Sequence, residues 1–558
     1  MKQARTARIA GIRVMSPAAR SAAEAAATGR GLRRLRARYR LWQDDARHET
    51  AERRETDTGR DGFDRTLAKL TDRGYRGLGG GRASVVPAMP EWRSTTTQVA
   101  GLWPWAVGAA APAVGTPIGH HWVTGEPVHF DPMSWFRAGH ITAPSMFVLA
   151  LNGFGKSSLL RRLVTGAVAE GDTVMCLGDT KPDYRDLVET LGGQVIDLGY
   201  GHGKLNPLAV GALGAIVDRL PDPAMRRQVA SRVLAGQVTV VAALIELVRG
   251  GRVADYEETL LAAALRHLYG PGGFTPARPP LLEDLLAVVS DSGEQMMQFA
   301  EEDTVESYRT ATKPLRRSLR ALVEGPFGEI FNGHTSVVLD PGSPAVCIDV
   351  SHIPEGDTKL LAAVLLVCWS DGFGAIHAAH TLADAGLAPK RIFHVVMDEI
   401  WRVLGVGDFM VDRVDSLTRL NRTLATSLIM CSHTIKDLGA FDSQASVNKA
   451  LGFLERARAK VIGPVGPDEV ERLRAVMSFT VTEKLLVNSW AAPRPPTDNT
   501  NRSSGGGLET PAGAGCFLLK TGEDNSPGIP FRMTFTPTER ASGIHNTNKR
   551  FDGINSAA

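Results

Sequence analysis

Cysteine is scarce in this chain of 558 residues. The five cysteines lie far apart and mostly inside apolar runs: Cys176, Cys347, Cys368, Cys431 and Cys516. Their odd number and wide spacing exclude a disulfide framework of the secreted type, and no C-x-x-C pair or His/Cys cluster has the spacing of a structural zinc site. The sequence therefore predicts reduced, buried thiols in a protein of the cytosol.

Long apolar runs are also missing. Residues 1–31 contain no apolar segment of the kind found in secretory signals. The stretch Val99–Ile118 is interrupted by three prolines, and Leu360–Trp369 is too short to cross a bilayer. We expect no integral membrane segment and a cytoplasmic location, with peripheral attachment to the inner face of the cell membrane as an open alternative.

Acidic residues are nearly absent from residues 1–40, where Glu24 is the single acid. Eleven basic residues share this segment: Lys2, Arg5, Arg8, Arg13, Arg20, Arg30, Arg33, Arg34, Arg36, Arg38 and Arg40. The net charge of the whole chain is only +3, so no global field favours nucleic acid. A basic arm could contact DNA phosphates or an anionic membrane, act as a transit peptide, or remain a solvated extension. All four alternatives stay open.

The most informative stretch is MFVLALNGFGKSSLL, residues 146–160. Residues 150–157 fit the A/G-x-x-x-x-G-K-S/T pattern of a phosphate-binding loop, between strand-like residues 146–149 and a predicted helix over 158–169. The glycines leave room for backbone N–H groups to surround a polyphosphate, the lysine would reach the β and γ phosphates, and the first serine would hold Mg²⁺. We predict that the nucleotide contacts Asn152, Gly153, Phe154, Gly155, Lys156, Ser157 and Ser158, with Ser157 also a metal ligand.

A second chemical signal is the apolar run 392–397 followed by Asp398 and Glu399. It looks like a Walker B strand, in which Asp398 holds Mg²⁺ through water and Glu399 activates the water that attacks the γ phosphate. Paired acids also mark the exit of many ordinary strands into solvent. The phosphate-binding loop upstream favours the catalytic interpretation.

Two further candidates lie near the predicted strand 426–431. His433 follows this strand and could sense the γ phosphate, or it could be an ordinary core or edge histidine. Arg422, and less strongly Arg419, could act in trans on the nucleotide of a neighbouring subunit, because a guanidinium stabilises the charge of the transition state. The alternative for both arginines is a solvated helix face.

The order of the motifs resembles the motor ATPases of bacterial conjugation and type IV secretion, in the clan that includes the DNA pumps FtsK and HerA. The resemblance covers about residues 99–552 and rests on ALNGFGKSS, GDTKPDYRDL, KLNPLA, VVMDEIWRVL, NRTLATSLIMCSHTIKDL and TPTERASGIHNTNKRFD. It implies a RecA-like α/β sheet, ATP and Mg²⁺ bound between subunits, and a homo-hexamer. It also matches Lys156, Ser157, Asp398 and Glu399 to the nucleotide and hydrolysis residues of the family, and Arg422 and His433 to the regions of its trans arginine and sensor.

The pattern of elements supports an α/β class. Strand 172–178, helix 183–191 and strand 194–198 follow one another at α/β spacing, whereas helical periodicity dominates 213–331, notably over 229–247, 257–269 and 308–323. We predict four regions: a basic, largely disordered or helical arm (1–82), a lead-in of small strands and loops (83–140), a RecA-like ATPase domain (141–212 and 340–558) and an all-α insertion (213–339).

The expected function is an ATP-hydrolysing motor that energises conjugative DNA transfer or type IV secretion. Membrane secretion-channel proteins and DNA or a relaxase–DNA complex are the expected partners. Two departures from the family, bulky Phe154 inside the loop and His433 where many relatives have glutamine, leave the rate of hydrolysis open. The alternatives are a self-standing DNA translocase and a weakly hydrolysing, nucleotide-dependent assembly subunit.

Overall fold

The computed structural model describes residues 6–9, 12–29, 31–57, 70–71, 74–75, 111–398, 400, 402, 424–433, 452, 454–474, 476–492, 511, 513–521 and 526–545. The chain divides into two compact units. One comprises Met1–Met89, Pro495–Thr510 and Phe535–Ala558, and the other comprises Pro90–Arg494 and Pro511–Thr534. The larger unit contains the phosphate-binding loop.

The described strands are β1 Thr6–Ile9, β2 Ile12–Met15, β3 Leu70–Thr71, β4 Gly74–Tyr75, β5 Pro117–His121, β6 Pro127–His129, β7 Ser145–Leu149, β8 Thr173–Asp179, β9 Gln194–Asp197, β10 Ala345–Asp349, β11 Phe393–Met397, β12 Thr426–Ser432, β13 Ala459–Ile462, β14 Cys516–Thr521 and β15 Ile529–Met533. The strands predicted over 146–149, 172–178, 194–198 and 426–431 all form, within one or two residues of the expected bounds. Their apolar runs are long enough to predict strands buried on both faces.

The described helices are α1 Pro17–Ala27, α2 Leu32–Asp57, α3 Pro132–Arg137, α4 Lys156–Ala169, α5 Arg185–Thr190, α6 Gly211–Ala215, α7 Pro223–Arg249, α8 Asp255–Tyr269, α9 Leu282–Ser290, α10 Glu294–Phe299, α11 Val305–Ala311, α12 Lys313–Glu324, α13 Pro326–Phe331, α14 Thr358–Asp384, α15 Pro467–Leu473, α16 Val481–Ala491 and α17 Pro537–Ser542. The helix predicted over 308–323 is in fact two helices, α11 and α12. Pro314 lacks the N–H that a continuous helix needs, so a new helix begins there.

An eleven-stranded sheet organises the larger unit, in the order β6-β5-β15-β14-β13-β7-β12-β11-β8-β10-β9. The seven strands from β13 to β9 run parallel, and the remaining four add to the β13 edge in antiparallel fashion. All residues of β7, β8, β10, β11 and β12 are buried. A parallel sheet covered on both faces is the α/β architecture that the sequence predicts, and this prediction is confirmed.

Residues 211–331 form helices and short connections, with a bridge between Thr275 and Arg278 as the sole strand-like pairing there. Apolar residues of these helices, such as Leu244 and Leu265, join the same hydrophobic core as Met175 of the sheet. The helical insertion thus packs directly on the α/β core.

The helix α14 is apolar enough, by length and composition, to cross a bilayer, and so is α7. In α14, 78% of the most apolar window is buried inside the protein; in α7 the share is 50%. Trp369 of α14 is fully buried, and its Nε1 donates a hydrogen bond to the carbonyl oxygen of Leu177, at 2.7 Å. Packing against the sheet therefore accounts for the hydropathy of α14.

In the smaller unit, the described part of the basic arm forms the hairpin β1–β2 and the helices α1 and α2. Asp44 of α2 is only 1% exposed and connects these elements. Its carboxylate accepts hydrogen bonds from the backbone N–H of Met15, at 2.6 Å, and from the guanidinium of Arg20, at 2.9 Å. One face of α2 is therefore packed. The division of the chain into the four predicted regions stays a prediction, although β5 and β6 of the lead-in region belong to the sheet.

Candidate nucleotide-binding site

The carboxyl ends of the parallel strands bring the predicted site residues to one edge of the sheet. The phosphate-binding loop follows β7, His433 follows β12, Asp398 follows β11, and the segment containing Asp183 follows β8. These four strands are adjacent, in the order β7-β12-β11-β8. Such an edge is where open α/β sheets bind their ligands.

The loop has the backbone geometry that its glycines predict. Gly153 and Gly155 have φ angles of +79° and +95°, in the left-handed region that side chains disfavour. Gly155 is the N-cap of α4, so the free N–H groups of the first helical turn point toward the loop. The carbonyl oxygen of Phe154 accepts a hydrogen bond from the N–H of Gly515, at 3.0 Å, which ties the loop to the turn before β14. The result is a concave set of amides at a helix N-terminus, suited to an anion.

Lys156 and His433 lie side by side, although 277 positions separate them in the sequence. The Nζ atom of Lys156 is 2.5 Å from Nδ1 of His433. Lys156 is 6% exposed, which is unusual for a lysine and indicates that its ammonium group is directed into the site. The two residues that the sequence assigns to phosphate binding and phosphate sensing are thus neighbours.

Ser157 contacts an acid that the sequence does not single out. Its Oγ donates a hydrogen bond to Oδ2 of Asp183, at 3.1 Å. Oδ1 of the same carboxylate pairs with Nη2 of Arg161, at 2.6 Å, and Arg161 is only 2% exposed. Asp183 therefore connects the predicted metal-binding hydroxyl to a buried cation on the next turn of α4.

Asp398 also has partners near the end of β11. The hydroxyl of Tyr184 donates to its Oδ2, at 3.2 Å, and the thiol of Cys431 donates to its Oδ1. Tyr184 is fully buried, and burial raises the pKa of its hydroxyl well above the usual value, so the group stays a donor at neutral pH. A hydroxyl and a thiol thus orient the carboxylate predicted to hold Mg²⁺.

Asp179, the last residue of β8, shapes the segment that presents Asp183 and Tyr184. It is 2% exposed, and its carboxylate accepts the backbone N–H groups of Asp183, at 3.2 Å, and Tyr184, at 2.7 Å. Burial raises the pKa of Asp179 well above its usual range, and burial also raises that of Asp183, with the charge of Asp398 adding to both shifts. Three acids therefore converge on the edge beside the loop.

This donor set fits a magnesium ion. The hydroxyl of Ser157, oriented by Asp183, and the carboxylate of Asp398 are hard oxygen ligands, the type that Mg²⁺ prefers. A polyphosphate on the loop amides would supply further oxygens, and a divalent cation would offset the repulsion among the acids. The residues present are therefore compatible with a nucleotide and its metal.

A second group of possible ligands, Asp197, Asp349 and His352, lies at the ends of β9 and β10. The guanidinium of Arg185 donates to both Asp197 and Asp349, at 3.0 Å for Asp349. This ion pairing lowers the pKa of Asp197 and keeps its carboxylate charged. Because Arg185 already supplies the positive charge, the group is better explained as a structural ion-pair cluster.

Two of the predicted catalytic residues, Glu399 and Arg422, fall outside the residues that the structure describes. Conversely, sequence reasoning assigned no role to Asp183 and Tyr184. A signal was available, since both residues follow β8, whose carboxyl end must lie at the same edge as those of β7 and β11.

Comparison with known proteins gives limited sequence similarity. No protein-family model matches the chain. An uncharacterized protein of Bacillus anthracis is 22% identical over 400 residues, an alignment that covers 64% of this chain. The chain spans 58% of the length of that relative.

Solved structures give a clearer result. VirB4 of Thermoanaerobacter pseudethanolicus is similar with a TM-score of 0.56 and 18% identity, over 77% of this chain and 100% of that one. The plasmid coupling protein TrwB, in complex with a non-hydrolysable ATP analogue, has a TM-score of 0.42 and 14% identity, over 77% of this chain and 96% of that one. The likeness to VirB4 confirms the predicted RecA-like α/β fold.

Proposed function

We propose that this chain binds ATP with Mg²⁺ at the edge formed by β7, β12, β11 and β8 and hydrolyses it. The observation that carries the proposal is the loop at the N-terminus of α4. Two glycines with positive φ expose its amides, and Lys156 and Ser157 begin the helix. Helix N-termini of this form bind phosphate groups.

The residues have distinct roles in this proposal. The amides of residues 152–158 and Lys156 bind the phosphates, Ser157 and Asp398 hold the cation, and Asp183 and Tyr184 orient these two groups. Bound Mg²⁺ would neutralise charge that develops on the transferred phosphate. Glu399 accepts a proton from the attacking water, and His433 positions Lys156 and contacts the γ phosphate.

The process that ATP hydrolysis would drive is proposed from the fold. A structural likeness to VirB4 over the full length of that chain supports a motor of conjugative DNA transfer or type IV secretion. In this proposal the chain acts as a homo-hexamer in which Arg422 of one subunit reaches the nucleotide of the next. Its partners are secretion-channel proteins and DNA, or a relaxase–DNA complex.

A substitution of Glu399 tests hydrolysis separately from binding. We expect Glu399→Gln to keep ATP affinity and to suppress steady-state phosphate release by a factor of about 10² to 10⁴, the usual contribution of a general base. Glu324→Gln serves as a matched control, because Glu324 is an exposed residue of the helical insertion. Unchanged phosphate release in Glu399→Gln would remove this residue from the catalytic role.

The two alternative functions differ in simple measurements. Turnover that rises on addition of DNA alone indicates a self-standing translocase, because it requires no channel partner. Tight ATP binding with negligible turnover, under all conditions, indicates an assembly subunit and is consistent with bulky Phe154 in the loop. Genes for a relaxase and channel proteins beside this one would favour the conjugative motor.

A further inference from the structure

The helix α2 has an apolar stripe on one face that is largely exposed in the described structure. Its members, spaced three and four residues apart, are Leu32, Leu35, Tyr39 and Trp42, with 76%, 63%, 58% and 65% of their surfaces exposed. This spacing places them on one side of a helix. We call these four residues the α2 stripe.

The stripe lies opposite the packed face of the same helix. Ala37, Asp44 and Ala51 are at most 6% exposed, and Asp44 bonds to Met15 and Arg20. At about 100° per residue, the centres of the two faces are roughly 180° apart around the helix axis. Packing among the described residues of the smaller unit therefore explains the buried face of α2 and assigns no contact role to the stripe.

Charge around the stripe indicates the kind of surface that it contacts. Between residues 32 and 42 the helix has five arginines and no acid, and all five are exposed: Arg33, Arg34, Arg36, Arg38 and Arg40. Arg36 and Arg38 flank the stripe, one on each side, at the helical angle given by their positions. An apolar stripe with Trp and Tyr, bordered by arginines, is the pattern of a helix that lies in the interface of an anionic bilayer.

We propose that the α2 stripe inserts into the headgroup region of an anionic lipid bilayer and attaches the protein to the membrane surface. DNA is a poorer partner for this face, because four large apolar side chains would be pressed against a hydrated polyphosphate. A second copy of α2 is also a poorer partner, because the flanking arginines would then face like charges. The proposal goes beyond ATP hydrolysis and can be tested without nucleotide.

Point substitutions on the full-length chain give the sharpest test. Deleting the arm would remove Met15 and Arg20, the partners of buried Asp44, and would disturb the fold of the smaller unit. The double variant Leu35→Ser/Trp42→Ser changes exposed side chains alone, so its melting temperature should equal that of the wild type. Val481→Ser is the matched control, since Val481 is 75% exposed on α16.

Binding is measured by sedimentation with vesicles of equal parts phosphatidylglycerol and phosphatidylcholine, and with vesicles of phosphatidylcholine alone. We expect the wild type and Val481→Ser to bind the anionic vesicles, and the double variant to bind at least about tenfold more weakly, since each buried apolar side chain contributes substantially to partitioning. Arg36→Gln/Arg38→Gln should weaken binding about fivefold per arginine, and added salt should reduce this difference.

Two controls address the other possible partners of the stripe. Affinity for duplex DNA and the sedimentation coefficient in solution should be the same for the wild type and the double variant. Absence of vesicle binding by the wild type, or equal binding by the double variant, would overturn the proposal. Loss of DNA affinity or of self-association in the double variant, with vesicle binding intact, would overturn it in favour of those partners.

Discussion

We expect Asp183 to contribute to metal binding, because it contacts Ser157, the predicted metal ligand, on α4. Its carboxylate accepts a hydrogen bond from Ser157 and pairs with Arg161. When the hydroxyl of Ser157 donates its proton to Asp183, the lone pairs of Oγ remain available for a cation. The substitution Asp183→Asn keeps the shape of the side chain and removes its charge.

The substitution Asp183→Asn should lower both the stability of the protein and its affinity for Mg²⁺. Removing one partner of a buried ion pair typically costs about 3 to 5 kcal/mol. Here the cost should fall below that range, at about 2 to 3 kcal/mol. Nε of Arg161 still donates to the main-chain carbonyl of Asp183, at 2.5 Å, and burial, which raises the pKa of Asp183, already disfavours its charged form. Loss of a residue that orients a metal ligand typically weakens metal affinity about 10- to 100-fold.

A titration separates these effects. A fluorescent ATP analogue is bound to the protein in the presence of chelator, and Mg²⁺ is then added while the signal of the analogue is followed. We expect Asp183→Asn to bind the analogue normally without Mg²⁺, because the loop amides and Lys156 are unchanged, but to need about 10- to 100-fold more Mg²⁺ for half-saturation. Asp186→Asn, an exposed acid of the neighbouring helix α5, is the control.

A Mg²⁺ titration of Asp183→Asn that matches that of the wild type would contradict a role of Asp183 in metal binding. An equal loss of nucleotide affinity with and without Mg²⁺ would also refute it, since Asp183 would then support the structure of the loop and have no separate effect on the metal. The melting temperature of each variant, measured without nucleotide, shows how much of any loss comes from stability.

Three other substitutions extend these tests. Tyr184→Phe removes a donor to Asp398 and keeps the buried ring, so we expect a loss of about 1 kcal/mol in unfolding free energy and a weaker Mg²⁺ response, by melting and the same titration. Burial raises the pKa of Asp371 from 3.8 to about 6. The folded state therefore binds the proton of Asp371 more tightly than the unfolded state does. As a result, the free energy of unfolding falls as the pH rises from about 4 to about 6. Asp371→Asn should therefore stabilise the protein by up to about 3 kcal/mol above pH ~6 and little below pH ~4, as thermal melts against pH would show. Mixing Arg422→Ala with Glu399→Gln subunits should restore part of the ATPase activity if Arg422 acts in trans, and no recovery, despite demonstrated subunit exchange, would contradict that role.

The parallel strands and their helices were predictable from sequence because each has a local pattern. A strand buried on both faces is an uninterrupted apolar run, as in β7 and β8, and a phosphate-binding loop fixes the strand before it and the helix after it. The five cysteines all lie within the described residues, where they are buried and form no disulfide, as their apolar neighbourhoods predict. These features depend on residues close together in the chain.

The antiparallel edge of the sheet was not predictable in the same way. β5 pairs with β15, so that Gly119 lies opposite Met533. No local sequence pattern predicts a pairing between residues more than four hundred positions apart. The sequence therefore indicates small strands in the lead-in region without indicating that they extend the large sheet.

The candidate site shows the same contrast between features set by a local pattern and features set by contacts far apart in the sequence. Lys156, Ser157 and Asp398 belong to motifs that are read along the chain, whereas the contact of Tyr184 with Asp398 joins residues 214 positions apart. The contact between Tyr184 and Asp398 forms because the strands that precede them, β8 and β11, are neighbours in the sheet. Strand order is set by the packing of the whole sheet, so the residues that orient a motif are harder to predict than the motif.

The two central side chains of the loop, Lys156 and Ser157, each have one bond to another described side chain and capacity for more. Lys156 has three N–H donors, of which the contact with His433 uses one, and Ser157 donates its single proton to Asp183 while keeping its lone pairs. Both contacts are therefore compatible with a bound phosphate and a bound cation. Because these contacts restrict the rotamers of Lys156 and Ser157 in advance, less conformational entropy is lost when the nucleotide binds. In the proposed site, His433 and Asp183 would act in this way as positioning residues on the two sides of the loop, His433 toward the phosphates and Asp183 toward the metal.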